Sequence, residues 1–89
     1  MLNVPKQIEY WQNGATDDLE TAGILIENRR FIHGLFFCHL SIEKIIKALV
    51  VRQTMEIPPK SHDLFYLSKI AHIDLPEDKQ LIIQILMKY

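Results

Sequence analysis

Apolar residues recur along this chain at three- and four-residue steps, in blocks separated by prolines or short charged breaks. That spacing puts them on one face of a helix. Pro5 can open the first block, because the N–H it lacks is one that a helix start leaves unpaired anyway. Ile8, Trp11, Ala15, Leu19, Ala22 and Leu25 or Ile26 then form a stripe running to about Asn28. Gly14 weakens that helix locally by about 1 kcal/mol relative to Ala. The stripe nevertheless keeps its phase across Asn13-Gly14, so one helix is predicted rather than a turn.

Arg29 and Arg30 form a short corner, and a second helix is predicted from about Arg30 to Gln53. Leu35, Cys38, Ile42, Ile45 and Leu49 lie on one line of it and Ile32, Phe36, Ile46 and Val50 on another, an apolar arc too wide for a helix resting on a surface. It must be buried on two sides. The corner allows only antiparallel neighbours, so the first two helices form a hairpin. Pro58-Pro59 cannot continue a helix and makes Thr54 to Lys60 a loop. Ser61 can cap a short third helix with Leu64, Leu67 and Ile70 facing inward. After a break from His72 to Leu75, Pro76 opens a fourth, with Glu77 and Asp78 in the first turn, where negative charge suits the helix dipole. Leu81, Ile82, Ile85 and Leu86 form its expected apolar face. The fold predicted is an all-α antiparallel bundle of about four helices, a single domain over residues 1–89, with no internal repeat or flexible linker.

The run FFCHLSIEKIIKAL, from Phe36 to Leu49, sets a polar ribbon inside the most apolar helix. His39, Glu43 and Lys47 stack at i, i+4 and i+8. They fall between Ile32, Phe36, Ile46 and Val50 on one flank and Leu40 on the other, so both edges are apolar and the ribbon needs partners. Either it is a set of satisfied core or interface groups, with Glu43 on Lys47 in the favourable N-to-C order, or it is a site for a partner chain or an anion.

Composition limits the remaining choices. At 89 residues the chain has room for one small core, only marginally supported without a partner or staple. Cys38 is the sole cysteine, which excludes an intrachain disulfide and fits a reducing compartment. A net charge of −1 argues against a surface given over to nucleic acid, although local patches remain open. The N-terminal residues lack a secretory pattern and no run is long enough to span a bilayer, so a soluble, cytoplasmic protein with no membrane partner is expected.

No spacing indicates a metal or a cofactor. His62-Asp63 and His72-x-Asp74 sit on helix boundaries, where Asp commonly satisfies free N–H groups. Cys38 and His39 point about 100° apart on a helix and make no nucleophilic pair. The three glycines are isolated, so no phosphate-cradling loop is present. Arg29, Arg30 and His33 form one cationic cluster at the hairpin corner, and Arg52, Lys60 and His62 another at the far end of the second helix; either can hold a phosphate. Trp11 lies on the apolar stripe and is expected in the core.

Tyr10-Trp11, Ala15, Asp18-Leu19 and Ala22, then Phe36 leading into Ser41-x-Glu43-Lys44-x-x-Lys47-Ala48-Leu49, then Pro58 and His62-Asp63-Leu64-x-x-Leu67 resemble the HEPN domain, the higher-eukaryote and prokaryote nucleotide-binding family. The match covers roughly residues 10 to 67, and the Glu-Lys-x-x-Lys-Ala-Leu and Pro…His-Asp-Leu blocks are its specific parts. The resemblance implies an antiparallel helical bundle that often dimerises, with many members encoded beside or fused to a nucleotidyltransferase. Some members are ribonucleases of toxin–antitoxin and defence systems and use an Arg and a His with four to six residues between them. Here Arg29 and His33 are separated by three residues and Arg52 and His62 by nine, so that pattern is absent. The branch resembled continues with a helical segment carrying Arg-Tyr-Pro, which does not follow here, and a truncated or naturally short variant is expected.

The resemblance therefore suggests a non-catalytic module that binds a nucleotide, an RNA or a nucleotidyltransferase partner in a toxin–antitoxin or related prokaryotic system. A metal-independent ribonuclease toxin and a purely structural dimerisation domain are the alternatives. Lys44, Lys47, Lys60, Ser61 and His62 are the expected ligand contacts. His39, Glu43 and Lys47 are the expected buried or interface ribbon, set against its own copy in a homodimer through the second and fourth helices.

Overall fold

The computed structural model describes residues 2–89, as four helices: α1 (Val4–Glu27), α2 (Phe31–Thr54), α3 (Leu64–Ile70) and α4 (Glu77–Leu86). The first begins where Asn3 accepts a hydrogen bond from the Lys6 N–H, with Pro5 in the first turn. It ends where the Asn28 amide donates to the Ile24 carbonyl at 2.8 Å and Arg29 turns left-handed at φ 61°. Met55 and His72 take the same conformation after α2 and α3. Three helices thus stop at a residue that reverses the chain, a role commonly given to glycine.

α1 and α2 form the predicted hairpin, and small side chains let them approach closely. Ala15 and Ala22 are buried in α1; Gly34, Ser41 and Ala48 are buried in α2. The Ser41 hydroxyl donates to the Ala15 carbonyl across the contact at 2.8 Å. Gly34 allows no more: a Cβ there would lie 2.5 Å from Ile26 Cγ1. On another side of α2, Ile46 and Val50 pack with Leu64, Leu67, Ala71 and Ile83 into the aliphatic core. α2 is therefore the central helix, packed against α1 on one side and the aliphatic core on another, but Ile45 and Leu49 of the line expected to be buried are 47% and 37% exposed, because neither α1 nor the core reaches over them.

The faces differ from the periodic expectation in four further places. In α1 the buried face carries Asp18 where Leu19 was expected, and Leu19 is 59% exposed. One position is a 100° rotation, and the close approach to α2 admits the smaller Asp18 with a charged partner, not a leucine. In α2 the N-terminal residues Ile32 and Phe36 are exposed, because the core cluster takes in nothing from α2 before Ile42. In α4 the inward residues are Ile83 and Leu86, whereas Leu81, Ile82 and Ile85 are exposed. A helix this apolar offers two arcs, and Ile83 with Leu86 makes the one that meets α3 and α2. Finally, α3 is capped by Asp63, not Ser61: the Asp63 carboxylate accepts from the Phe65 and Tyr66 N–H groups, while the Ser61 hydroxyl accepts from the Asp63 N–H.

Candidate functional site

α2 delivers His39, Glu43 and Lys47 one above another at helical spacing, and all three are buried. Glu43, 3% exposed, is the hub. Its Oε2 accepts from Lys47 Nζ at 3.2 Å, and its Oε1 accepts from His62 Nδ1 at 2.8 Å. His39 Nε2 lies 3.6 Å from the same Oε1. The Lys47 ammonium and the imidazole donor of His62 offset part of the cost of desolvating this carboxylate. Lys47 is enclosed further by Trp11, whose ring centroid is 5.3 Å from Nζ, a cation–π distance. The Trp11 Nε1 is itself buried without a partner.

His39 ties the site to the rest of the fold. Its Nδ1 meets the Leu86 carbonyl at 3.0 Å and its Nε2 the His62 carbonyl at 3.2 Å. Both partners are acceptors, so both bonds form only when each ring nitrogen carries hydrogen.

His62 differs from the others because its side chain is 79% exposed. The Pro58-Pro59 loop brings it back over α2; Pro58 is buried, and the Ser61 N–H donates to the Pro59 carbonyl at 2.8 Å. With Nδ1 donating to Glu43, the ring is held by one nitrogen, and no protein group among the described residues bonds the other. An imidazole oriented from behind by a buried carboxylate can accept a proton at the free Nε2, or donate one to an anion.

The expected ligand contacts divide accordingly. Lys47 and His62 meet on Glu43, with Lys60 exposed and Ser61 half-buried in the adjoining loop. Lys44 is elsewhere: its Nζ lies 2.7 Å from Asp18 Oδ2 against α1. Gly14 makes room for that side chain, since a Cβ there would stand 3.0 Å from Lys44 Cδ. Within the chain the ribbon finds partners in α3's leading loop and at the end of α4, as the buried alternative expects. Asp18, Trp11 and the Leu86 carbonyl were not anticipated in these roles. Asp18 alone had a signal, a carboxylate one step from the alanine line of α1.

Elsewhere, Arg29, Arg30 and His33 are exposed at the corner beside Phe31 and Ile32. Among the described residues no cluster of His, Cys, Asp or Glu is arranged to hold a metal ion, and no helix is long and apolar enough to cross a membrane.

The family model for the HEPN domain matches residues 8–89, nearly the whole chain. The chain belongs to the HEPN domain family. No curated protein and no solved structure matches it. The HEPN match takes in α4 as well as the blocks around Glu43 and His62, so the whole network lies inside the family's domain.

Proposed function

We propose that this HEPN-type domain is a binding module for a phosphate-bearing ligand, a nucleotide or an RNA, received at the exposed edge of His62. The observation that supports it is the exposed imidazole fixed through Nδ1 to the buried Glu43, with its second nitrogen free and Lys60 two residues away on a proline-stiffened loop. Preorganised donors of that kind suit a phosphate oxygen. In this reading Lys60, Ser61 and His62 touch the ligand. Lys47 holds Glu43 in place from within, and Lys44 holds α1.

The Glu43–His62 pair also favours a second reading, because a carboxylate-oriented imidazole is a general acid–base group. Cleavage of RNA at its 2′-hydroxyl asks for a base and an acid, and the described residues place one exposed imidazole at this edge; binding without turnover follows. Titration with ATP, GTP and short RNA, followed by amide chemical shifts, should move Lys60, Ser61 and His62, and His62→Ala should weaken binding at least about tenfold, a loss of about 1.4 kcal/mol. Shifts confined to Arg29–His33, or none, would overturn the proposal. Cleavage of RNA in EDTA that His62→Ala abolishes would replace it with the ribonuclease reading.

A further inference from the structure

Of the four histidines, His62 alone combines an exposed ring with a carboxylate behind it. His39 is buried and meets a carbonyl with each of its nitrogens. His33 and His72 are exposed, and among the described residues no carboxylate pairs with either. The carboxylate decides which atom of His62 is reactive. As an ionised group Glu43 can only accept, so the hydrogen sits on Nδ1 and the neutral ring carries its lone pair at Nε2, the nitrogen that no protein group engages.

We propose that His62 is a phosphoryl acceptor, modified at Nε2 by an acyl phosphate. The inference rests on the reading that this edge receives a phosphate-bearing ligand, and it names the chemical class of that ligand and what becomes of it. In the transfer the Nε2 lone pair attacks phosphorus and forms the N–P bond. The P–O bond to the acyl oxygen breaks, and its electron pair leaves with the carboxylate. No proton has to be supplied, and this selects the donor. The one exposed imidazole at this edge is spent as the nucleophile, so no second imidazole remains to protonate an alkoxide leaving group, whereas the carboxylate of an acyl phosphate departs without a proton. Positive charge gathers on the ring as Nε2 bonds to phosphorus, and Glu43 meets it across the 2.8 Å contact to Nδ1. Lys60, exposed on the same loop, offers a cation to the phosphoryl oxygens. The phosphoryl group stays on the ring, so the protein is modified and no substrate is turned over.

Acetyl phosphate is the probe. The mass of the folded chain should rise by one phosphoryl group, and peptide mapping should place it on His62. The adduct should be lost in acid and survive alkali, as N–P bonds do, and phosphorus NMR should show the Nε2 isomer alone. Two bases for selection give opposite results. Attraction of the dianion to surface charge would favour His33, which lies beside Arg29 and Arg30, whereas orientation by a carboxylate favours His62 over His33 and His72 by at least about tenfold. The chain unfolded in urea should label its histidines alike, at both ring nitrogens. His62→Ala should remove the adduct from the folded protein. Glu43→Gln presents an amide that can donate as well as accept, so the Nδ1 isomer should appear, a change that a merely structural role of Glu43 would not produce. Labelling of His33 first, equal selectivity in the folded and unfolded chains, an Nδ1 adduct on the folded protein, or acetylation in place of phosphorylation would overturn the proposal. No adduct at all, with ATP or RNA still shifting Lys60, Ser61 and His62, would remove the transfer and leave the binding reading. No adduct and no shift would remove both.

Discussion

Glu43→Ala tests the buried network at its hub. The substitution strands the Lys47 ammonium, whose side chain is 7% accessible against 5% for that of Glu43, and it removes the anchor of His62 Nδ1. Breaking a buried pair from one side costs about 3–5 kcal/mol, since the remaining charge is neither hydrated nor compensated. Against a total of about 5–15 kcal/mol for a domain, that is about a fifth of the stability or more, and a fall in melting temperature of at least about 12 °C. Urea denaturation followed by Trp11 fluorescence measures it, at one fixed protein concentration because self-association would move the midpoint. Glu43→Leu combined with Lys47→Met should recover most of the loss, as both charges leave together. A Glu43→Ala loss below about 1 kcal/mol, the range of solvated pairs, would refute the claim that these charges are desolvated.

Two further outcomes follow from the packing. Gly34→Ala should destabilise by about 1–3 kcal/mol in the same denaturation assay despite its better helix propensity, because the new Cβ would sit 2.5 Å from Ile26 Cγ1 with the Ala22 carbonyl behind it at 3.4 Å; a stabilised variant would show that the hairpin gives way easily. Asp63→Ala should cost about 1 kcal/mol and Ser61→Ala distinctly less, since the carboxylate takes two N–H groups of α3 and the hydroxyl takes one N–H ahead of it; the reverse order, measured by urea denaturation, would return the cap to Ser61.

Helix number, order and approximate ends were legible in the sequence, because period and proline placement are local properties. The faces were less so. Periodicity assigns apolar residues to the inside, and it therefore put Leu19 where the hairpin has room only for Asp18 paired to Lys44. α4 has apolar residues on two arcs, and only its neighbours decide that Ile83 and Leu86 turn inward. Glu43 and Lys47 could be paired from their spacing alone. His62 could not be assigned to Glu43, because a loop's return is fixed by tertiary packing, and nothing in a sequence marks the Leu86 carbonyl as the acceptor for His39.

That carbonyl bears on how the molecule comes apart. One imidazole in the middle of α2 grips the chain just before α3 and again at the last turn of α4. The segment between is thus a flap clasped at both ends by the same ring. Opening at either end strips His39 of one acceptor and weakens the other grip, so the amides of α3 and α4 should exchange with deuterium in step, apart from those of the α1–α2 hairpin. A ligand that seizes His62 would then slow exchange at Leu86 as well, at the far end of a helix it never touches.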